Sequence, residues 1–439
     1  AILLFGLICL SLSFVTLNPK GPTLINTGIH HIGVNDHITD LFEGQYPIPN
    51  GISYNSYLIV DSETAVIDTV DERFRSEWFQ NIEKVLNNKS PDYLVIQHME
   101  PDHAGSIDHF MQKYPKTKIV SSVKAFKMMT NFFGTDYNER NIVIKEGSTL
   151  AVGKHTLTFV EAPMVHWPEV VVSYDLLTKT LFSADGFGKF GANDKEEDWV
   201  DEARRYYIGI VGKYGKQVQD LLKKAATLEI KMICPTHGPM INSDFEKYIK
   251  LYDTWSSYNF ETNGILICYT SIYGHTKKAV EIFAEKLRAK GAPNIKIIDL
   301  ARTEVSYAVS DAFRYSKLVL ATTTYNGEIF PAMRNFIQHL TERFFQNRHV
   351  AFIENGSWSP YASKTMKELF KNSKNLKYAN TEVLIKSAVN EESEKQLEAL
   401  AEELCVEYLS QKGEGNIMDL KALNNIQYGL YVLTSYDGK

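Results

Sequence analysis

The stretch Val95-Ile-Gln-His-Met-Glu-Pro-Asp-His-Ala-Gly-Ser106 decides how the rest of the chain reads. Three apolar residues, Leu94, Val95 and Ile96, end what reads as a buried strand. Four potential metal ligands, His98, Glu100, Asp102 and His103, then arrive within six residues. A strand end that spills into a loop can aim alternate side chains at one point. Imidazole and carboxylate at this spacing can supply two neighbouring metals from one turn. Any one of the four reads most simply as part of a solvated polar loop. All four together repel one another or waste burial unless a cation joins them.

Three later residues look placed to complete that site. His166 stands in Pro163-Met-Val-His-Trp-Pro-Glu-Val170, after one apolar run and before another. Asp185 follows the run Thr180, Leu181 and Phe182, and His237 follows Lys231 to Cys234. Each is a polar group just past a strand, with a Gly or Pro turn residue close behind. Singly they read as a turn residue or a satisfied core histidine; their repeated placement favours a site.

The series His-x-Glu-x-Asp-His, then His166, Asp185 and His237, resembles the flavodiiron proteins, the iron-binding branch of the metallo-β-lactamase superfamily. The zinc hydrolases of that superfamily show His-x-His-x-Asp-His. Glu100 stands here at the second His position, and a harder oxygen ligand favours iron over zinc. The resemblance implies that His98, Glu100 and His166 hold one iron, that Asp102, His103 and His237 hold the other, and that Asp185 bridges them. These seven would be both the metal ligands and the catalytic residues, and Met99, Trp167 and Phe187 would either shape a dry pocket around them or serve as ordinary core packing.

Length and composition set the frame. The 439 residues predict two or three domains, and a net charge of −6 argues against a nucleic-acid partner. The four cysteines, Cys9, Cys234, Cys268 and Cys405, form no CxxC pair, which suggests a reducing compartment and excludes a rubredoxin-type iron site within the chain. The opening Ala1-Ile-Leu-Leu-Phe5 and the apolar residues up to Val15 are too short for a confident membrane span. They suit a signal-peptide core, but no initiator Met or basic segment precedes them, so residues 1–22 are expected to lie outside the fold. No stable membrane span is expected, and the cytoplasm is the expected location, with a secreted or anchored form as the alternative.

Residues 23–258 read as strands with flanking helices. Tyr57 to Val60 and Thr64 to Ile67 form a hairpin around Asp61 and Ser62. Helices are expected over Arg73 to Asn88, Ser121 to Phe133 and Asp201 to Leu228. Periodicity alone says α/β; the resemblance implies the αββα metallo-β-lactamase-like sandwich. A boundary falls near Ser256 to Asn263.

Gly264 to Thr270 is then a fully apolar strand of parallel-sheet type, running into Ser271-Ile-Tyr-Gly-His-Thr276 and a helix from near Lys277. Strand, hydroxyl-rich loop and helix make an anion site, equally well an ordinary N-capped helix. Two further apolar strands, Lys317 to Ala321 and His349 to Ile353, end in polar loops, where open α/β sheets bind ligands. Tyr325 and Trp358 offer flat faces for a tricyclic ring.

This half, residues 264–411, resembles flavodoxin, with a doubly wound parallel sheet and three FMN loops. By that resemblance Thr270, Ser271, Ile272, Tyr273, Gly274, His275 and Thr276 hold the FMN phosphate. Thr322, Thr323, Thr324, Tyr325, Asn326 and Gly327 border the ring with Asn355, Gly356, Ser357 and Trp358. The middle loop departs from the family's Ser-Pro-Thr-Tyr-Asn-Asn-Gly, reading Thr322-Thr-Thr-Tyr-Asn-Gly-Glu328. The helix Glu391 to Gln411 closes the unit. Residues 412–439 read as a linker and then either an ordinary tail or the first strand of a flavin-reductase-like domain.

The resemblance as a whole implies a flavodiiron reductase of O2 to water, of NO to nitrous oxide, or both, with two irons and FMN as cofactors. It also implies a rubredoxin, or another flavin or rubredoxin reductase, as electron donor. A head-to-tail homodimer, alone or within a dimer of dimers, would bring one subunit's FMN to the other's irons. The alternatives are a zinc hydrolase with an accessory flavodoxin domain, and a flavin electron carrier with a dead metal site.

Overall fold

The computed structural model describes residues 14–17 and 21–414, and over them the first half of the chain is two stacked sheets flanked by helices. The first sheet has seven strands in the order Thr23–Asn26, Ile29–His31, Tyr57–Val60, Thr64–Ile67, Tyr93–Val95, Lys118–Ser122 and Asn141–Ile144. The second has five, Thr149–Val152, His155–Glu161, Val171–Asp175, Thr180–Phe182 and Met232–Cys234. Ile59, Val95 and Val120 of the first sheet pack on Leu157, Phe159 and Phe182 of the second. On the outer face of the first sheet, Trp78 and Ile82 of helix Arg75–Leu86 join Leu58, Val66 and Leu94.

Strand direction positions the site. Thr64–Ile67 runs parallel to Tyr93–Val95, and Thr180–Phe182 parallel to Met232–Cys234. His155–Glu161 is antiparallel to Val171–Asp175, which is antiparallel to Thr180–Phe182, so its carboxyl end falls on the same edge as theirs. The segments carrying His166, Asp185 and His237 therefore leave one edge of one sheet. The segment carrying His98 to His103 leaves the facing sheet.

Four expectations for this half are corrected. The helix expected over Asp201 to Leu228 is broken into Trp199–Tyr206, a π-helical turn Tyr207–Val211, a 3-10 turn Gly212–Tyr214 and Gly215–Ala225. Close approach explains the break: a Cβ on Gly209 would lie 3.0 Å from the Tyr46 ring, and one on Gly215 only 2.3 Å from the Ser256 carbonyl oxygen. The helix expected from Ser121 begins at Val123, because Ser121 and Ser122 end a strand and Ser122 Oγ caps the helix by accepting from Ala125 N. That expected over Arg73 to Asn88 spans Arg75–Leu86 behind a 3-10 turn, Glu72–Phe74. Finally, part of the segment expected outside the fold packs on it: Phe14 bridges Ile241, and Val15 N donates to Met240 O. The rest of the apolar opening, Cys9 and the residues beyond 414 lie outside the described residues.

The second half is one parallel sheet in the order Ile295–Asp299, Thr262–Tyr269, Tyr315–Tyr325, His349–Asn355, with Lys377–Tyr378 and Val383–Ile385 on the last edge. Numbered within the unit this is 2-1-3-4-5, the flavodoxin order. Helices His275–Ala289 and Glu391–Glu414 cover one face, Val305–Arg314 and Pro331–Glu342 the other. The strand expected to stop at Ala321 continues to Tyr325, and a two-residue hairpin returns it to Glu328–Ile329. Its turn, Asn326-Gly327, has φ +51° and +70°, the conformation an Asn-Gly hairpin turn requires. One apolar cluster runs from Val172 and Leu181 in the first half through Tyr207 and Ile208 to Phe313 and Phe336 in the second, so the halves share a core. Cys234, Cys268 and Cys405 are buried and free. No helix among the described residues is long and apolar enough to cross a membrane.

Candidate metal centre

His98 and Glu100 come from the extended segment after Tyr93–Val95, but Asp102 and His103 sit on a helical turn, Pro101–Ala104. Pro101 starts that turn, where its missing N–H is not needed and its fixed φ is already helical. A single loop would have spread the four side chains. The switch from extended to helical backbone at Glu100 splits them into two pairs.

The structure gathers all seven expected ligands. Donor atoms of His98, Glu100, His166 and Asp185 lie within 4.8 Å of one another, as do those of Asp102, His103 and His237. His166 Nε2 is 2.9 Å from Glu100 Oε2, and His98 Nε2 is 3.3 Å from the same oxygen. Asp185 Oδ2 is 3.3 Å from both His98 Nε2 and His166 Nε2. Its other oxygen, Oδ1, is 3.3 Å from His103 Nε2 and 3.9 Å from His237 Nε2. Asp102 Oδ2 lies 3.3 Å from His103 Nε2 and 3.2 Å from His237 Nε2. Donors that share an ion at roughly 2.0–2.2 Å stand roughly 3.0–3.5 Å apart, so these edges suit one cation in each group.

The donor set fits metal ions on two further counts. Asp102 Oδ1 and Oδ2 and Asp185 Oδ2 are buried with no hydrogen-bond partner among the described residues, a costly condition that a cation relieves. The imidazoles are also oriented from behind. His98 Nδ1 is 2.8 Å from Glu169 Oε1, and His237 Nδ1 is 2.7 Å from the Ser53 carbonyl oxygen. Both partners are hydrogen-bond acceptors, so each Nδ1 carries the donated proton and each Nε2 lone pair faces the centre. His103 Nε2 and His237 Nε2, only 3.0 Å apart, converge on the same point.

Electrostatics agree. Burial pushes the carboxyls of Glu100 and Asp185 up, yet the surrounding imidazoles outweigh it and hold both below the usual carboxylate range. Burial pushes His98 and His166 down, yet Asp185 and Glu100 outweigh it, raising His98 well above its ordinary value and His166 to about 9. Asp102 is raised to about 7, by burial first and then, against the opposing His103, by the charges of Glu100 and Asp185. The centre thus carries more acidic charge than its neutral imidazoles can balance, and it takes protons or metal ions to compensate.

Sequence reasoning missed several supporting residues. Glu169 accepts from both His98 and the Met99 amide (2.9 Å); a lone acid before the apolar run Val170 to Val172 was its only local signal. Thr236 Oγ1 donates to Asp185 Oδ1 at 2.7 Å. Phe42, Tyr54 and Tyr206 stand with ring centres 5.4, 6.0 and 5.5 Å from His237; with Trp167, one of the expected pocket residues, 5.2 Å from His98, they wall the centre with aromatic carbon. Glu43 lies exposed at the rim, its carboxyl raised to about 7 by lost solvation and then by the charge of Glu100.

Glu169→Gln is expected to weaken metal binding about 10–100-fold, because it removes the charge that raises the basicity of His98 while keeping the side chain's shape. An anaerobic competition titration against a chromophoric chelator reads this directly.

The three expected cofactor loops meet at the carboxyl edge of the second unit's sheet. Thr270 Oγ1 and Thr322 Oγ1 are 2.6 Å apart. Asn355 Nδ2 donates to Thr276 Oγ1 at 3.2 Å, and Thr323 Oγ1 to Asn355 O at 3.0 Å. The amides of Gly274 and Lys277 donate to Ser271 Oγ, and Gly274, at φ +92°, leads into helix His275–Ala289, which begins two residues earlier than expected. Neutral hydroxyls and a long helix's first amides form a cradle suited to a phosphate dianion. Tyr273 and Trp358 are 90% and 82% exposed, so two flat aromatic faces flank the loops; Ile272 and Tyr325 are partly exposed, Tyr325 in edge contact with Phe330 at 5.6 Å. Thr324 Oγ1 accepts from Tyr361 N, and Asn326 and Gly327 form the hairpin turn described above. Gly356 packs against Pro360, where a Cβ would lie 3.2 Å away. Ser387, which the sequence did not single out, joins this edge through Asn355 and the Ser357 hydroxyl.

A paired His/carboxylate centre on a β-lactamase-type sandwich, followed by a flavodoxin-type sheet, is a combination also found among known proteins. Residues 52–238 match the family described as ODP family beta lactamase, and residues 266–397 match the flavodoxin domain. An uncharacterized protein of Methanocaldococcus jannaschii is 30% identical over 356 residues, 79% of this chain and 89% of that one. The anaerobic nitric oxide reductase flavorubredoxin of Citrobacter koseri is 28% identical over 350 residues, 76% of this chain and 72% of that one. The solved rubredoxin oxygen:oxidoreductase of Desulfovibrio gigas superposes with a TM-score of 0.82 at 28% identity, covering 89% of this chain and 99% of that one. The chain belongs to the flavodiiron proteins.

Proposed function

We propose that this chain is an oxidoreductase that reduces O2 to water, NO to nitrous oxide, or both, at a diiron centre fed by FMN. The observation that carries the reading is Asp185: its two carboxylate oxygens face two separate ligand groups, as a bridge between two ions requires. The relatives named as a nitric oxide reductase and an oxygen oxidoreductase support the substrate class.

In this reading His98, Glu100 and His166 hold one iron, Asp102, His103 and His237 the other, and Asp185 both. The loops Thr270 to Thr276, Thr322 to Gly327 and Asn355 to Trp358 hold FMN. When bound, two ferrous ions supply two electrons at once and FMN two more, the four that O2 needs to reach water. The chain's own work is to fix geometry and exclude water. Glu169 and Ser53 orient two imidazoles, Thr236 steadies Asp185, and the Phe42, Tyr54, Tyr206 and Trp167 rings keep bulk solvent off the ligands.

Glu100 in place of a third imidazole and the flavodoxin-type unit weigh against a zinc hydrolase. A rubredoxin-type donor, a head-to-tail homodimer and a cytoplasmic location complete the proposal, with the metal unit within residues 23–258 and the flavin unit within 264–411.

The test is anaerobic stopped-flow mixing of the iron-loaded, reduced protein with O2 and, separately, with NO, with iron and FMN quantified on the same sample. The expected result is two irons and one FMN per chain and rapid flavin reoxidation by at least one gas. Zinc in place of iron, with no gas consumed, would overturn it in favour of the hydrolase.

A further inference from the structure

A cavity of about 40 Å³ lies behind the candidate metal centre, between the second sheet and helix Gly215–Ala225. Val160, Val172 and Leu181 form its sheet side; Val218, Leu221 and Leu222 form its helix side. At its inner end stand Val165 and Phe187, one residue before His166 and two residues after Asp185.

Three polar residues border the cavity, and each has its polar atom engaged. Ser183 Oγ donates to Gly186 O at 2.6 Å. The Tyr252 hydroxyl accepts from Phe187 N at 2.5 Å. Lys224 Nζ donates to Glu146 Oε2 and to Glu161 O, both at 3.0 Å. Water needs roughly two to four partners to occupy a buried site, and the surface these walls turn to the cavity is apolar. A single water takes up roughly 10–15 Å³ of such a cavity, so this one has room for a small apolar molecule.

Phe187 closes the inner end. Its ring stacks on Tyr252 with centres 4.3 Å apart, and its backbone is held at φ +65°, uncommon and costly for a bulky residue. Its ring thus forms part of the cavity wall two residues from Asp185, on the same segment as Ser183 and Gly186, which also line the cavity.

We propose that this cavity binds an apolar diatomic gas and feeds it to the metal centre past Phe187. The delivery step rests on the gas reduction proposed above; occupancy of the cavity does not.

Xenon is the probe. In xenon-pressurised crystals of the full chain, with and without iron, an atom is expected between Leu222 and Phe187. Leu222→Trp, at a partly exposed helix position, fills the mouth and is expected to abolish that atom. In the iron-loaded variant kcat/KM for the gas is expected to fall about tenfold with kcat unchanged, the signature of impaired entry without loss of chemistry. Ala225→Phe fills the same mouth should Leu222→Trp fold poorly. A wild-type cavity empty under xenon would overturn the proposal. So would a variant that has lost xenon yet keeps the wild-type kcat/KM, or one in which kcat alone falls. Xenon in the cavity of a protein that consumes neither gas would instead overturn the proposed reduction and leave the pocket standing.

Discussion

Asp185→Asn is expected to reduce the metal content from two ions per chain to one at most, and gas turnover by about 10³-fold or more. A bridging carboxylate contributes several kcal/mol, and each 1.36 kcal/mol is tenfold in rate. The amide keeps the side chain's volume and can still meet Thr236 Oγ1, which donates to Asp185 Oδ1 at 2.7 Å. It cannot present anionic oxygen to both ligand groups. Its NH2, pointed at His98 and His166 or at His103, meets lone pairs that otherwise face a cation. Asp175→Asn is the control. Asp175 is equally buried and its Oδ2 lies 2.9 Å from His155 Nδ1, but it sits on the far side of the sheet from the centre's loops. It is expected to cost stability and leave metal content intact. Metal analysis on both variants separates a bridge from a merely buried acid. Two ions bound in Asp185→Asn would sink the bridging role.

The candidate centre was legible in the sequence because its expected ligands obey a local rule. Each follows a strand, and strand direction brings those ends to the facing edges of the two stacked sheets. What failed to read was set by distant contacts. The amphipathic run from Asp201 to Leu228 looks like one helix, and nothing within it says that Gly209 must accommodate the Tyr46 ring or Gly215 the Ser256 carbonyl. Thr322 to Gly327 read as a loop because its hydroxyl residues are polar. The Asn-Gly pair was the available signal for a hairpin, and the short return strand Glu328–Ile329 gave no apolar alternation to support it. Glu169 escaped for a different reason. It touches no expected ion, and its role depends on a histidine 71 positions earlier in the chain. Supporting partners are fixed by tertiary packing, so sequence patterns that find ligands do not find them.

Arg205→Ala is expected to destabilise the protein by about 3 kcal/mol and to split its unfolding into two transitions. Arg205 is 2% exposed and lies at the junction of the two halves. Its guanidinium is sandwiched between the rings of Phe190, at 4.3 Å, and Tyr307, at 4.4 Å, one from each half. Nη2 donates to Glu202 Oε2 at 2.6 Å and to Pro47 O at 2.9 Å, and Nη1 donates to Ser306 Oγ at 3.2 Å. Removing one partner of a buried ion pair costs about 3–5 kcal/mol, and the lower end applies because the Glu202 side chain keeps 17% exposure and can rehydrate. Arg205→Lys keeps the charge but not the planar fork, so it recovers only part of the loss. The junction also bears on the site. Phe190 packs on Phe42 at 5.6 Å, and Phe42 on His237 at 5.4 Å, so the ring that Arg205 holds belongs to the wall around a candidate ligand. Urea unfolding followed by tryptophan and by flavin fluorescence measures the effect. In the wild type the two signals are expected to change together, because one apolar cluster spans both halves. In Arg205→Ala the tryptophan transition should move to lower urea first. Coincident transitions at the wild-type midpoint would show that the shared core alone couples the halves and that the arginine is dispensable.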